Sequence, residues 1–133
     1  MKYFVASIQY SEPIPEGEGV KKVKKKYLVR AESVTEVEVK AQGWFVSNWQ
    51  DPMVRAVTET PIQDIIEEGD SEAHWNIKLM FEDMETGKWT PHVVAVNGST
   101  IDLAIKRAKA KNPMAEVESA SRLKIEFDSE LLA

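Results

Sequence analysis

The chain contains no cysteine, which excludes disulfides, thiolate metal sites and Cys nucleophiles. A reducing compartment is compatible with that composition. Histidine is nearly as scarce, with only His74 and His92. A phosphoesterase with two His-x-Ser/Thr motifs needs a hydroxyl two residues on, and His74-Trp75-Asn76 and His92-Val93-Val94 lack it. Both are read as structural or solvent-facing. The six glycines are scattered, and neither G-x-G-x-x-G nor a Walker pattern cradles a phosphate. No serine sits in a nucleophile elbow. No apolar run approaches the roughly 20 residues that span a bilayer, and the opening Met1–Ile8 run is too short for a signal peptide. The expectation is a soluble cytoplasmic protein that is not an enzyme, with no catalytic residue, metal, cofactor or membrane association.

The 133 residues, 43% of them apolar and 29% charged, suit one domain with a core that needs no staples. The net charge of −5 is unevenly spread. Lys21, Lys22, Lys24, Lys25, Lys26 and Arg30 form one basic cluster, and Lys106, Arg107, Lys109 and Lys111 a second. From Glu59 through Asp64, Glu67, Glu68, Asp70 and Glu72 there is no Lys or Arg. Clustered carboxylates attract hard cations, but the Asp-x-Asp-x-Asp-Gly spacing is missing. The segment of about 61–73 is read as an acidic linker.

On either side of it the sequence repeats. Gln50-Asp51-Pro52-Met53 is echoed by Lys111-Asn112-Pro113-Met114. Strands are predicted for Tyr3–Tyr10 and Tyr27–Val29 in the first copy, about 1–60, with a long loop over Ser11–Lys24. Trp75–Glu82 and His92–Val96 are their counterparts in the second, about 74–133, joined by a short Glu85–Lys88 loop. Ser33 with Glu36 is a capping-box pattern, and Ser99 with Asp102 is its parallel, with Lys40 and Lys106 completing i,i+4 pairs at a constant spacing of 66. Val34, Val37, Ala41 and Trp44 or Phe45 form one apolar stripe, and Ile101, Ala104, Ile105 and Ala108 the other. Each proline ends its helix, and a strand follows, Met53–Thr60 or Val117–Phe127. The fold expected is α+β: two tandem ββαβ repeats sharing one antiparallel sheet, both helices on one face. The first helix carries about one extra turn, Gly43–Trp49.

The opening Met1-Lys2-Tyr3-Phe4 strand, the Tyr27–Ser33 segment running into Thr35-Glu36, and the strand from Trp75 resemble a family of small bacterial and bacteriophage proteins known only as a domain of unknown function. Val37, Val39 and the Trp44–Trp49 extension depart from its pattern. The resemblance implies a two-repeat fold and a phage or mobile-element setting, hence host cytoplasm. It implies no activity and no functional residue.

Two binding surfaces emerge. Trp44, Phe45 and Trp49 in the extra turn are candidates to anchor a protein partner or a second copy, since Trp is enriched at interface hot spots. The leading reading is therefore a phage-encoded accessory, host-interaction or inhibitor protein acting by protein–protein contact. The alternative is a nucleic-acid or nucleotide binder in which Lys21, Lys22, Lys24, Lys25 and Lys26, placed in a loop, join Lys106, Arg107 and Lys109 of the second helix.

Overall fold

The structure, a computed structural model, describes residues 2–14, 16–17, 19–69 and 73–133. Met1, Asp70 and Glu72, used in the sequence readings, lie outside the described residues. The elements in chain order are β1 (Lys2–Pro13), β2 (Val20–Ala31), α1 (Val34–Asn48), β3 (Gln50–Glu59), β4 (Ile62–Ile66), β5 (His74–Glu82), β6 (Trp89–Asn97), α2 (Ile101–Lys111) and β7 (Glu116–Arg122). The chain is α+β and divides into two compact units, Met1–Thr60 with Ile125–Ala133, and Pro61–Lys124.

In the first unit the strand order is β2-β1-β3, all antiparallel. Alternation along β1 sends Phe4, Ala6, Ile8 and Tyr10 to one face, where all four are buried. Register sets Val29 opposite Phe4 and Tyr27 opposite Ala6. Helix α1 covers this face with Val37, Ala41 and Phe45, four residues apart and so on one side of the helix. Its N-cap Ser33 accepts from the Glu36 amide at 3.2 Å, and Glu36 Oε2 accepts from the Glu32 amide at 3.2 Å. After the helix, Asp51 takes a left-handed φ of 49° just before Pro52.

In the second unit the order is β4-β6-β5-β7, with β4 parallel to β6 and the other pairs antiparallel. Ile77, Leu79, Val94 and Val96 make the buried face, and α2 lays Ala104 and Ala108 on it. These small side chains let the helix sit close. A Cβ on Gly98 would stand 3.1 Å from the Ala104 amide nitrogen and 3.2 Å from the Thr100 carbonyl oxygen, so a larger residue there would have to push the helix entrance back by a few tenths of an ångström.

Several expectations need correction. The strands form two sheets, not one shared sheet, and the second is mixed, because β4 pairs with β6 in parallel. The acidic 61–73 segment is not a plain linker: Ile62 and Ile66 are buried, and the run pairs with Val93–Val96 as β4. Residues 11–24 are mostly strand, because β1 and β2 continue in register out to Pro13 and Val20. The last strand stops at Arg122, and Glu126 instead bridges Tyr27 in parallel in the first unit. Helix α2 is capped by Thr100, whose hydroxyl accepts from Leu103 N at 3.2 Å, and not by Ser99. That moves the helix correspondence from 66 to 67 positions, matching Ser33 with Thr100 and buried Val37 and Ala41 with buried Ala104 and Ala108. Lys40 reaches the carbonyls of Arg30 and Ala133.

Candidate functional site

The basic cluster lies on strand β2, where alternation splits it between two faces. Lys22, Lys24 and Lys26 pair with Ser11, Gln9 and Ser7 on the side away from α1, and Arg30 pairs with Tyr3 on that same side. All four cations are exposed. Alternate residues on a strand stand about 6.5–7 Å apart, so the three lysines form an evenly spaced row. Strand β3 contributes Arg55, whose Nε donates to Gln9 Oε1 at 3.3 Å and so is fixed beside the row. Arg55 is the extra residue of a β-bulge, between the Ser7–Ala56 and Ile8–Val54 pairs. Glu12 and Glu59 fall on the other face, where Lys21 and Lys2 neutralise them at 4.0 and 3.2 Å.

Lys25 belongs to that helix-side face and sits 6.0 Å from the Trp49 ring centre. Here the core raises two phenols. Burial pushes Tyr27 up to about 12, with the negative charges of Tyr10, Glu126 and Asp128 adding to it. Burial also raises Tyr10, against the opposing influence of Lys25. Lys21 and Lys25 are therefore spent on local contacts, and Lys22, Lys24 and Lys26 are the members of the cluster that face outward.

Lys106 and Lys109 are exposed on α2, in the second unit. Arg107 is not part of their outward face. Its Nη1 donates to Asn97 O at 2.8 Å and Asn97 Oδ1 at 3.3 Å, and its Nε lies 3.6 Å from Glu68 Oε2. Asn97 in turn accepts from and donates to the Glu68 backbone, at 2.7 and 2.9 Å. Arg107 is a structural cation.

The aromatic extension is likewise taken up by packing. Phe45 is 0% exposed, with Tyr27 and Trp44 edge-on at 4.9 and 4.7 Å, so it cannot anchor a partner at the surface. Trp49 stacks on Tyr10 at 4.2 Å, and its indole nitrogen is buried without a hydrogen-bond partner among the described residues. Trp44 is half-buried against the same core. The extra turn of α1 thus serves the long β1–β2 hairpin. Outward from it, Val39 (70% exposed), Val46 (59%) and Met53 (50%) are the exposed apolar side chains. Val39 and Met53 line a shallow groove between α1 and β3, together with Gln42, Gly43 and Pro52. Their exposure was hidden in sequence because valines at 34, 37, 39 and 46 do not follow one helical stripe.

His74 is buried, with Nε2 2.7 Å from Glu67 Oε1, and His92 meets Phe81 edge-on at 5.8 Å. Among the described residues, no group of three or more His, Asp or Glu side chains is placed to hold a metal ion. Nor is any helix among them long and apolar enough to cross a membrane.

No curated protein and no solved structure matches the chain significantly. One family does: with residues 2–124 matched, the chain belongs to the family described as Domain of unknown function (DUF4494).

Proposed function

We propose that this is a non-enzymatic binding protein whose ligand is an extended single strand of nucleic acid lying along the lysine-bearing face of the first sheet. The observation that carries the reading is the Lys22, Lys24 and Lys26 row, exposed, evenly spaced and facing neutral Ser11, Gln9 and Ser7. A flat row of cations suits a flexible polyanion that can follow a strand. Arg30 and Arg55 broaden the positive surface, and Tyr3, beside Arg30, offers a ring for base stacking. The net charge of −5 means that attraction must be local to this face rather than general.

Fluorescence anisotropy with a labelled single-stranded oligonucleotide tests it. Each phosphate contact on a single strand contributes about −0.7 to the log–log salt slope. Three lysines then predict a slope near −2, or about a 20-fold loss between 50 and 200 mM salt. Replacing Lys22, Lys24 and Lys26 with Glu should abolish binding, while Lys21→Glu, on the other face, should leave it within about twofold. Equal losses from both, or no binding at low salt, would sink the reading.

A second reading is a protein contact, by partner or self-association, through Val39, Val46 and Met53. It is favoured by their exposure around the α1–β3 groove. Val39→Lys would then remove a captured protein partner without changing oligonucleotide binding.

We also infer that the chain holds two copies of one ββαβ unit. The runs β1, β2, α1, β3 and β5, β6, α2, β7 each go strand, strand, helix, strand with the first strand central, and β4 is added at the edge of the second. Both carry a register shift at the same place, after Ser7 in β1 and after Lys78 in β5. A bacteriophage or mobile-element origin is the setting we infer from the family resemblance; its genomic neighbourhood would test it.

A further inference from the structure

We propose that the outer edge of β2 is a docking groove for a short parallel segment, filled by the chain's own Ile125–Ala133 and, in a dimer, by the same segment of a second copy. Backbone hydrogen bonds and a fully buried side chain hold the segment. Glu126 N donates to Lys26 O at 2.7 Å, Leu28 N donates to Glu126 O at 3.0 Å, and Arg30 N donates to Leu131 O at 2.9 Å. Leu131, 0% exposed, plugs the first hydrophobic core, and Lys40 Nζ donates to Ala133 O at 2.7 Å. A cavity walled by Lys40, Trp44 and Ser47 of α1 on one side and by Glu130 and Leu131 on the other lies beside the segment.

The connectivity says what else fits. The segment arrives from β7, a strand of the second unit, to complete the first unit. Conversely, β4 follows directly on β3 of the first unit and pairs in parallel with β6 of the second. Each half therefore donates its closing segment to the other half's sheet. A donated segment forms the same bonds whichever copy of the chain supplies it, and exchange of identical elements is a low-cost route to dimers. Release breaks the three backbone hydrogen bonds and the Lys40–Ala133 contact and withdraws Leu131 together with the half-buried Ile125 and Phe127, while the β1–β2–β3 ladder stays closed, so it is a local opening.

Two tagged populations of the full chain, mixed at high concentration, warmed and cooled, test the exchange. Capture of one tag should bring down the other, and an excess of free peptide 123–133 should block it. The mixed species should disappear when both populations carry Leu131→Asp. Wild-type chains that stay monomeric at every concentration, or Leu131→Asp chains that still co-purify, would overturn the proposal. If Leu131→Asp fails to fold, hydrogen exchange on the wild type decides. The Leu28 and Arg30 amides should exchange at least tenfold faster than those of Tyr27 and Val29. Equal rates would mean the segment leaves only on global unfolding, and the groove would not be available to a second copy.

Discussion

Lys40 and Arg107 do the same work in the two units. Lys40 Nζ donates to the carbonyl of Arg30 at 3.0 Å, and Arg107 Nη1 donates to the carbonyl of Asn97 at 2.8 Å, each reaching ten residues back from helix to strand. Each cation also touches the segment that closes its sheet: Ala133 O at 2.7 Å for Lys40, and Glu68 Oε2 at 3.6 Å for Arg107. In each unit one cation ties the helix to a strand and to the closing segment.

Replacing Arg107 with Met should therefore cost more than replacing Lys40 with Met. Arg107 is the more enclosed, 18% exposed at the side chain, and its loss leaves the Asn97 backbone carbonyl without that donor, while Asn97 Oδ1 keeps the Glu68 amide. Leaving a buried acceptor unmet costs about 1–3 kcal/mol. Lys40→Met should cost about 1 kcal/mol or less, because its acceptors are exposed to water. Urea denaturation of both variants compares them; a larger loss from Lys40→Met would contradict the assignment.

The helix caps give a second comparison. Thr100 Oγ1 caps α2 by accepting from Leu103 N, and Ser33 Oγ caps α1 by accepting from Glu36 N. Thr100→Ala and Ser33→Ala should each cost about 0.5–2 kcal/mol. Ser99→Ala should change stability by less than about 0.5 kcal/mol. The reverse order in a thermal melt would restore Ser99 as the cap.

Sequence made the local devices legible and left the non-local ones obscure. Ser33, the buried helix positions Val37, Ala41, Phe45, Ala104 and Ala108, and the turn at Gly87 follow from short-range chemistry, whereas Val34 and Ile101, also expected on the apolar stripes, are 46% and 37% exposed. The β4 strand did not stand out because Gln63 and Asp64 interrupt Ile62, Ile65 and Ile66, and its partner lies 30 residues on. The doubled Pro-Met signal misled in detail. Met53 pairs with Gln9 while Glu116, not Met114, pairs with the matching Met80, so the echo is displaced by two residues. At the candidate site, the lysine cluster was plain in sequence. Which lysines face outward depends on the β1–β2 register, and a run of lysines masks strand alternation.

Core roles for the aromatic extension predict unequal costs within it. Phe45→Ala should cost about 3–5 kcal/mol, as expected for a fully buried ring left as a cavity. Trp49→Phe should cost far less, about 1 kcal/mol or under, because it keeps a ring against Tyr10 and removes a buried N–H that has no partner. Tryptophan fluorescence and urea titration measure both. Similar large losses would indicate that the indole nitrogen makes a bond that stabilises the fold.

The buried phenol of Tyr27 sets the alkaline limit. Its folded pKa is pushed up to about 12, above the ordinary tyrosine value of 10.0, chiefly because burial penalises the phenolate. Below pH 10 both folded and unfolded chains hold the proton, and this group's contribution is complete. As pH rises from 10 towards 12 the unfolded chain ionises first, so that contribution is progressively lost. Two units of difference correspond to roughly 2–3 kcal/mol at most. Tyr27→Phe removes the proton and should flatten the fall. From pH 9 to 11.5 the urea midpoint of the wild type should fall more steeply than that of the variant; parallel curves would show that Tyr27 ionises as freely in the folded chain as in the unfolded one.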